Sequence, residues 1–323
     1  MANRVCEVLG IAKPVIAAPM TWITNAEYVA SVSNAGGAGV LGFNAGQTTL
    51  TRDINVTMER TRDQLKKTRA LTDKPFGLNM MVSGTVDPMT AATLELFEEV
   101  RPDFVSMISM GEIAPEIISK LHSLGMKAVY RPISPTIDVL KYGQDAGVDV
   151  LVCVGHEAGG HASEHRISTL AILPAARKAI SIPLMAAGAV IDEASAKAVK
   201  AIGAEGAYCG TRFVLTEENP THPAVKQALL EVKAEDMVVV PSTPGWIRMT
   251  RNETGLACEE MYKKGATAVE INNFYMGRGG FLNMLTGDLK NGFANADEAI
   301  GNIDSIKTVK EVVDEIGDVF LAV

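Results

Sequence analysis

Val150–Arg166 reads VLVCVGHEAGGHASEHR. Its first six residues form an apolar run. The rest is a polar loop carrying a Gly-Gly pair, a glutamate and three of the chain's five histidines, His156, His161 and His165. A run with no polar alternation suits a strand covered on both sides, as in a parallel sheet. Seven further runs have the same character: VIAAPM (15–20), GVLGF (39–43), FGLNMM (76–81), FVSMI (104–108), KAVYRP (127–132), LMAAGA (184–189) and GAYCGT (206–211). Helically spaced segments lie between them, near 25–35, 52–71, 88–99, 114–124, 136–146, 172–180 and 193–202. Eight strand–helix units in about 200 residues predict an α/β fold, a (β/α)8 TIM barrel. A doubly wound open sheet is the alternative, since periodicity does not show closure.

The rhythm breaks after the eighth run. Residues 217–290 are rich in Pro, Gly and Asn and are read as an insertion or cap over the active site. Residues 291–323 contain SIKTVKEVVDEIGDVF, whose apolar spacing predicts a helix closing on the 1–216 barrel.

Composition narrows the function. The chain has 323 residues, a formal charge of −8 and 47% hydrophobic residues. An acidic chain without a basic footprint is not a nucleic-acid binder. No apolar run approaches the roughly 20 residues of a membrane helix, and the first residues lack a signal-peptide pattern. Cys6, Cys153, Cys209 and Cys258 are widely spaced and read as reduced thiols of a cytoplasmic protein.

In a β/α barrel the chemistry sits on loops at the carboxyl ends of the strands. The glycine loops after the seventh and eighth runs, AAGAVIDEA and YCGTRF, suit a phosphate. GAGVLG (37–42) matches a dinucleotide fingerprint in letters only. It precedes a strand instead of following one, and is read as a helix stop. His161 and His165 are four apart, but the glycines argue against a helix there and no H-E-x-x-H occurs, so no metal site is assigned. His161, beside those glycines, is the candidate for acid–base work, with Glu157 placed to hold or tune an imidazole. His156 and His165 are read as exposed loop residues. Asn79 ends an apolar strand and offers a donor and an acceptor to a heteroaromatic edge or to a neighbouring loop. Arg131 could offset anionic charge or sit in an ion pair.

Taken in order, VIAAPM, SNAGGAGVLG, DKPFGLNMM, GHEAGGH, TLAILPAARKAISIPLMAAGAVID and GAYCGTRF resemble the FMN-dependent 2-nitropropane dioxygenase-like family. That family includes nitronate monooxygenases, type II enoyl-acyl-carrier-protein reductases and NAD(P)H:quinone reductases. The resemblance implies FMN in the barrel, its phosphate on the last two loops. The implied contacts are Met20, Asn79, Gly159, Gly188, Tyr208, Cys209, Gly210 and Thr211, with His161 as the catalytic histidine. Three departures stand out. Val154 replaces a residue able to hydrogen bond the flavin, His156 could supply a substitute imidazole, and Ala189 replaces a glycine. The expected activity is NAD(P)H-dependent reduction of an activated alkene such as a 2-enoyl thioester. Oxidation of alkyl nitronates with O2 and quinone reduction are the alternatives. A non-redox phosphate-binding lyase or isomerase is the reading from another class, but no lysine ends any of the eight runs. The expected partners are a small-molecule or acyl-thioester substrate and, as an option, a second copy in a homodimer.

Overall fold

The apolar runs become short strands that are buried almost throughout. In the computed structural model, which describes residues 2–322, the strands are β1 (Val15–Ala17), β2 (Ala38–Leu41), β3 (Gly77–Met81), β4 (Phe104–Ser109), β5 (Lys127–Pro132), β6 (Val150–Val154), β7 (Gly160–Ala162), β8 (Leu184–Ala187), β9 (Gly206–Cys209), β10 (Met237–Pro241) and β11 (Trp246–Thr250). Eight of them close into a parallel barrel in the order β1-β2-β3-β4-β5-β6-β8-β9. Closure is made by β1 against β9, with Ile16 opposite Tyr208. The open-sheet alternative is thereby excluded, and the fold is a TIM barrel.

Alternate residues of each strand face the barrel axis. Ile16, Val40, Phe104, Val129, Val152 and Met185 share one buried cluster. Large and small residues interlock there: a Cβ on Gly77 would lie 2.5 Å from the ring of Phe104. A helix absent from the sequence reading, Arg4–Leu9, adds Val5 and Leu9 to that cluster. Asn3 caps it through the amides of Val5 and Cys6, and Gly10, at φ +68°, ends it.

The closing helix, Val309–Leu321, starts with a reciprocal Thr308/Glu311 cap. It buries Val309, Val312, Val313, Ile316 and Phe320, one helical face, against helices Ala26–Asn34 and Glu193–Ala201. The GAGVLG stretch runs out of helix Ala26–Asn34 and into β2. A Cβ on Gly39 would lie 2.4 Å from the Val29 carbonyl oxygen, so this glycine permits close helix–strand packing.

Beyond β9 the chain builds a second small core. The antiparallel hairpin β10–β11 packs with helices Glu253–Lys263 and Ala268–Gly277 around Val240, Ile247, Met249, Cys258, Tyr275 and Phe293. The sheet continues onto β7, so part of the loop after β6 is itself a strand, paired antiparallel to β11. Among the described residues no helix is long and apolar enough to cross a membrane.

Candidate active site

A cavity of about 390 Å³ opens at the carboxyl ends of the barrel strands. Met20, Asn79, Gly159, His161, Gly188, Tyr208, Gly210 and Thr211 all line it, as do Arg131 and Val154. The segment after β9 closes its far side with Pro244, Met276, Phe281, Asn295 and Asp297.

Cys209 is the exception. Successive strand residues point to opposite faces. Tyr208 therefore faces the cavity, while Cys209 packs in the helix-side core. Its carbonyl accepts a hydrogen bond from the Ala18 amide at 2.8 Å, and burial pushes its thiol well above the ordinary range. Its side chain thus offers neither a ligand contact nor a reactive thiolate.

His161 sits on β7 opposite Ile247 of β11. Its ring lies 6.1 Å from that of Phe281, tilted by 51°. Its Nδ1 is buried without a hydrogen-bond partner. Burial, and then the Arg131 guanidinium, push its pKa down to about 4, against a smaller upward pull from the backbone of Pro244 and Trp246. The imidazole is therefore uncharged near neutral pH. Glu157 does not tune it. Glu157 Oε1 accepts from the Thr169 amide at 2.9 Å, at the start of helix Thr169–Ala179. There the carboxylate meets an unpaired helical N–H.

Arg131 projects from β5, and its Nη2 donates to the His161 carbonyl at 3.2 Å. No carboxylate lies within ion-pair distance among the described residues. Asn79 Nδ2 donates to the Ser106 carbonyl at 2.8 Å, which leaves its Oδ1 for the cavity. His156 is turned away: its Nδ1 meets the Ser163 carbonyl at 2.8 Å, so it does not substitute for a side chain at Val154. His165 lies on the exposed rim.

One functional support escaped the sequence reading. Arg248 of β11 is buried and holds the loop after β6. Its Nε donates to the Ala158 carbonyl at 3.1 Å, its Nη2 to the His156 carbonyl at 2.9 Å, and its Nη1 pairs with Glu298 at 2.6 Å. A Cβ on Gly159 would lie 2.5 Å from the Ala296 carbonyl carbon. This glycine thus admits the backbone of the segment after β9 as well as facing the cavity.

The loop after β8 carries Gly188 at φ +89° and Ala189 at φ +58°. An alanine in the left-handed region is strained by roughly 1–2 kcal/mol. Ala189→Gly should therefore stabilise the protein by about 1 kcal/mol after the entropic cost of glycine, raising Tm by about 2 °C. An unchanged or lower melting temperature would contradict this.

Asp297 is buried beside Thr211. Burial pushes its pKa up to about 7. The Thr211 and Ala299 hydrogen bonds and Arg248 pull it down, and Glu157 adds to the rise. The unfolded carboxyl ionises near 3.9. The folded protein holds that proton longer, so this group's contribution to stability falls as pH rises from about 4 to about 7. Asp297→Asn should remove that loss. Thermal melts should show the variant gaining on the parent between pH 5 and pH 8, and parallel curves would refute the assignment.

Comparison with known proteins agrees with this architecture. The nitronate monooxygenase family model matches residues 2–318. A probable nitronate monooxygenase of Staphylococcus haemolyticus (strain JCSC1435) is 32% identical over 277 residues, 73% of this chain and 74% of the relative. The (3aS,4S,5R,7aS)-5-hydroxy-7a-methyl-1-oxo-octahydro-1H-indene-4-carboxyl-CoA dehydrogenase of Rhodococcus jostii (strain RHA1) is 31% identical over 250 residues, 76% of this chain. The match spans 64% of that relative, slightly under two thirds of its length. Among solved structures, FabK from Thermotoga maritima superposes with a TM-score of 0.84 at 26% identity, covering 99% of this chain and 96% of FabK. A barrel mouth lined in this way, and a family match running almost from end to end, place the chain in the nitronate monooxygenase family of FMN-dependent oxidoreductases.

Proposed function

We propose that the protein is an NAD(P)H-dependent, FMN-dependent reductase of an activated alkene such as a 2-enoyl thioester. The observation that carries this reading is the convergence of an uncharged imidazole, His161, and an unpaired guanidinium, Arg131, on one cavity.

The residues present fit FMN. A buried polar atom at the cavity wall, Asn295 Oδ1, lacks a protein partner, and a heteroaromatic ring with donors along its edge meets that need. Gly188, Gly210 and Thr211 would hold the phosphate end, and Asn79 Oδ1 and Tyr208 would face the ring system. Hydride transfer between nicotinamide and alkene is the chemistry that FMN supplies when bound.

The chain's own residues do the rest. Arg131 places positive charge where a thioester oxygen becomes negative as hydride reaches the β-carbon. In the tautomer that carries its hydrogen on Nδ1, the uncharged His161 donates a hydrogen bond to that oxygen. Val154, Met276 and Phe281 keep water from the reacting centre. The thioester class draws support from the Rhodococcus relative, whose name specifies a carboxyl-CoA.

A second reading, oxidation of alkyl nitronates with O2, rests on the same uncharged imidazole, which is free to act as a base. An anaerobic visible spectrum separates the two. Under the reductase reading the flavin band bleaches with NADH or NADPH and returns when a 2-enoyl thioester is added. A band that persists with both nicotinamides, together with turnover of an alkyl nitronate in air, would overturn it.

A further inference from the structure

A second cavity, of about 470 Å³, lies outside the barrel between helices Ile54–Leu71 and Pro88–Glu99. It adjoins the first and shares Phe43, Asn44, Leu50, Asn79 and Met81 with it. Asn79 and Met81 point to the barrel mouth, whereas Leu78 and Met80, the alternate residues of β3, wall the groove. The space therefore passes over the rim of β3.

The groove presents apolar surface although threonines line it. Thr57 Oγ1 donates to the Asp53 carbonyl, Thr61 Oγ1 to the Thr57 carbonyl and Thr93 Oγ1 to the Met89 carbonyl, at 2.8–2.9 Å. Gln64 Oε1 accepts from the Ala26 amide at 3.0 Å. The three hydroxyls and the Gln64 oxygen are thus paired within the protein. The two charged residues at the edge are also engaged: Arg60 with Thr49, and Asp87 with the first amides of its helix. Between them stand Met58, Met80 and Met89, flexible side chains that adapt to a variable occupant. Leu50 and Met81 at the junction and Met89 in the groove are 61%, 43% and 36% exposed, so an occupant would cover apolar surface that water now meets.

We propose that this groove receives the unbranched apolar tail of the substrate whose reacting end lies beside His161. This rests on the proposed thioester activity for the identity of the head group. Continuity with the barrel cavity commits the groove to one occupant, a tail covalently joined to a head in the mouth. The reductase therefore discriminates by chain length, outside the barrel.

The test is calorimetric binding of the saturated thioesters butanoyl-, octanoyl- and dodecanoyl-CoA to the flavin-loaded protein. None of them needs to react. Each methylene entering the groove should tighten binding about fourfold. Thr61→Phe and Thr57→Trp, which fill the groove from helix Ile54–Leu71, should flatten that dependence while butanoyl-CoA binding and flavin content stay unchanged. Two variants guard against one that fails to fold. Binding independent of chain length in the parent, or an undiminished dependence in both variants, would overturn the proposal. If the dependence is found and lost as described while no 2-enoyl thioester is reduced, the groove assignment stands and the reductase reading falls.

Discussion

His161→Ala is expected to lower turnover by about 100- to 10,000-fold, the usual worth of a positioned proton donor or acceptor. Flavin content should hold near that of the parent, because the loops proposed to hold the phosphate follow other strands. The pH profile adds a second readout. With its pKa pushed down to about 4, His161 stays uncharged through neutral pH. Its titration therefore puts no inflection in the parent's rate between about pH 6 and pH 8, and an acid limb belonging to it falls near pH 4. Steady-state rates of the two proteins, each divided by bound flavin, measure the effect. An alanine variant with parental turnover would remove His161 from the reaction. An inflection near pH 6.5 that vanished in the variant would show that the imidazole titrates as an ordinary exposed one.

Gly188→Asp is expected to yield protein without flavin. The glycine lies at φ +89°, where any L-side chain is strained. A Cβ there would stand in ordinary contact, at 3.4 Å, with the backbone of Gly155 and Ala158. The local fold can thus tolerate a small addition better than the ligand can. The aspartate would put bulk and negative charge where the phosphate is proposed to bind. Desalted protein should lose its visible flavin absorbance, while a folded melting transition persists. Gly188→Ala, with the strain but not the charge, should retain part of the flavin. A fully loaded aspartate variant would place the phosphate elsewhere.

The barrel was legible because its strands are covered on both faces, so each appears as a largely apolar run without polar alternation, although the run at 15–20 outlasts β1, Val15–Ala17. The helices between the barrel strands, and the closing one, were legible from their spacing to within a few residues at the ends, whereas Pro223–Leu230, Glu253–Lys263 and Ala268–Gly277 within 217–290 were not assigned. Helix Arg4–Leu9 was not, since six residues give too little periodicity to register. β7 was hidden for a different reason. Gly160–Ala162 has no strand propensity of its own and is extended only because β11, far along the chain, pairs with it. Glu157 misled by proximity: it is near His161 in sequence, yet it reaches a helix start instead. The outward turn of Cys209 could have been read from strand alternation once Tyr208 was placed inward. Arg248 could not, because an arginine in a half-exposed hairpin looks ordinary until the topology lays it under two loop carbonyls.

The pairing of β7 with β11 also bears on how such an enzyme can diversify. The strand that carries His161 is the edge of the same small sheet whose hairpin turn lines the cavity, and Arg248 fastens the two. The hairpin and the histidine loop are thus one heritable unit. A lineage that reshapes the hairpin for a new substrate must preserve its hydrogen-bond register with residues 160–162 or shift the imidazole with it. Residues of the groove beside β3 lie outside that constraint, so drift in chain-length preference can proceed while the reacting centre stays fixed.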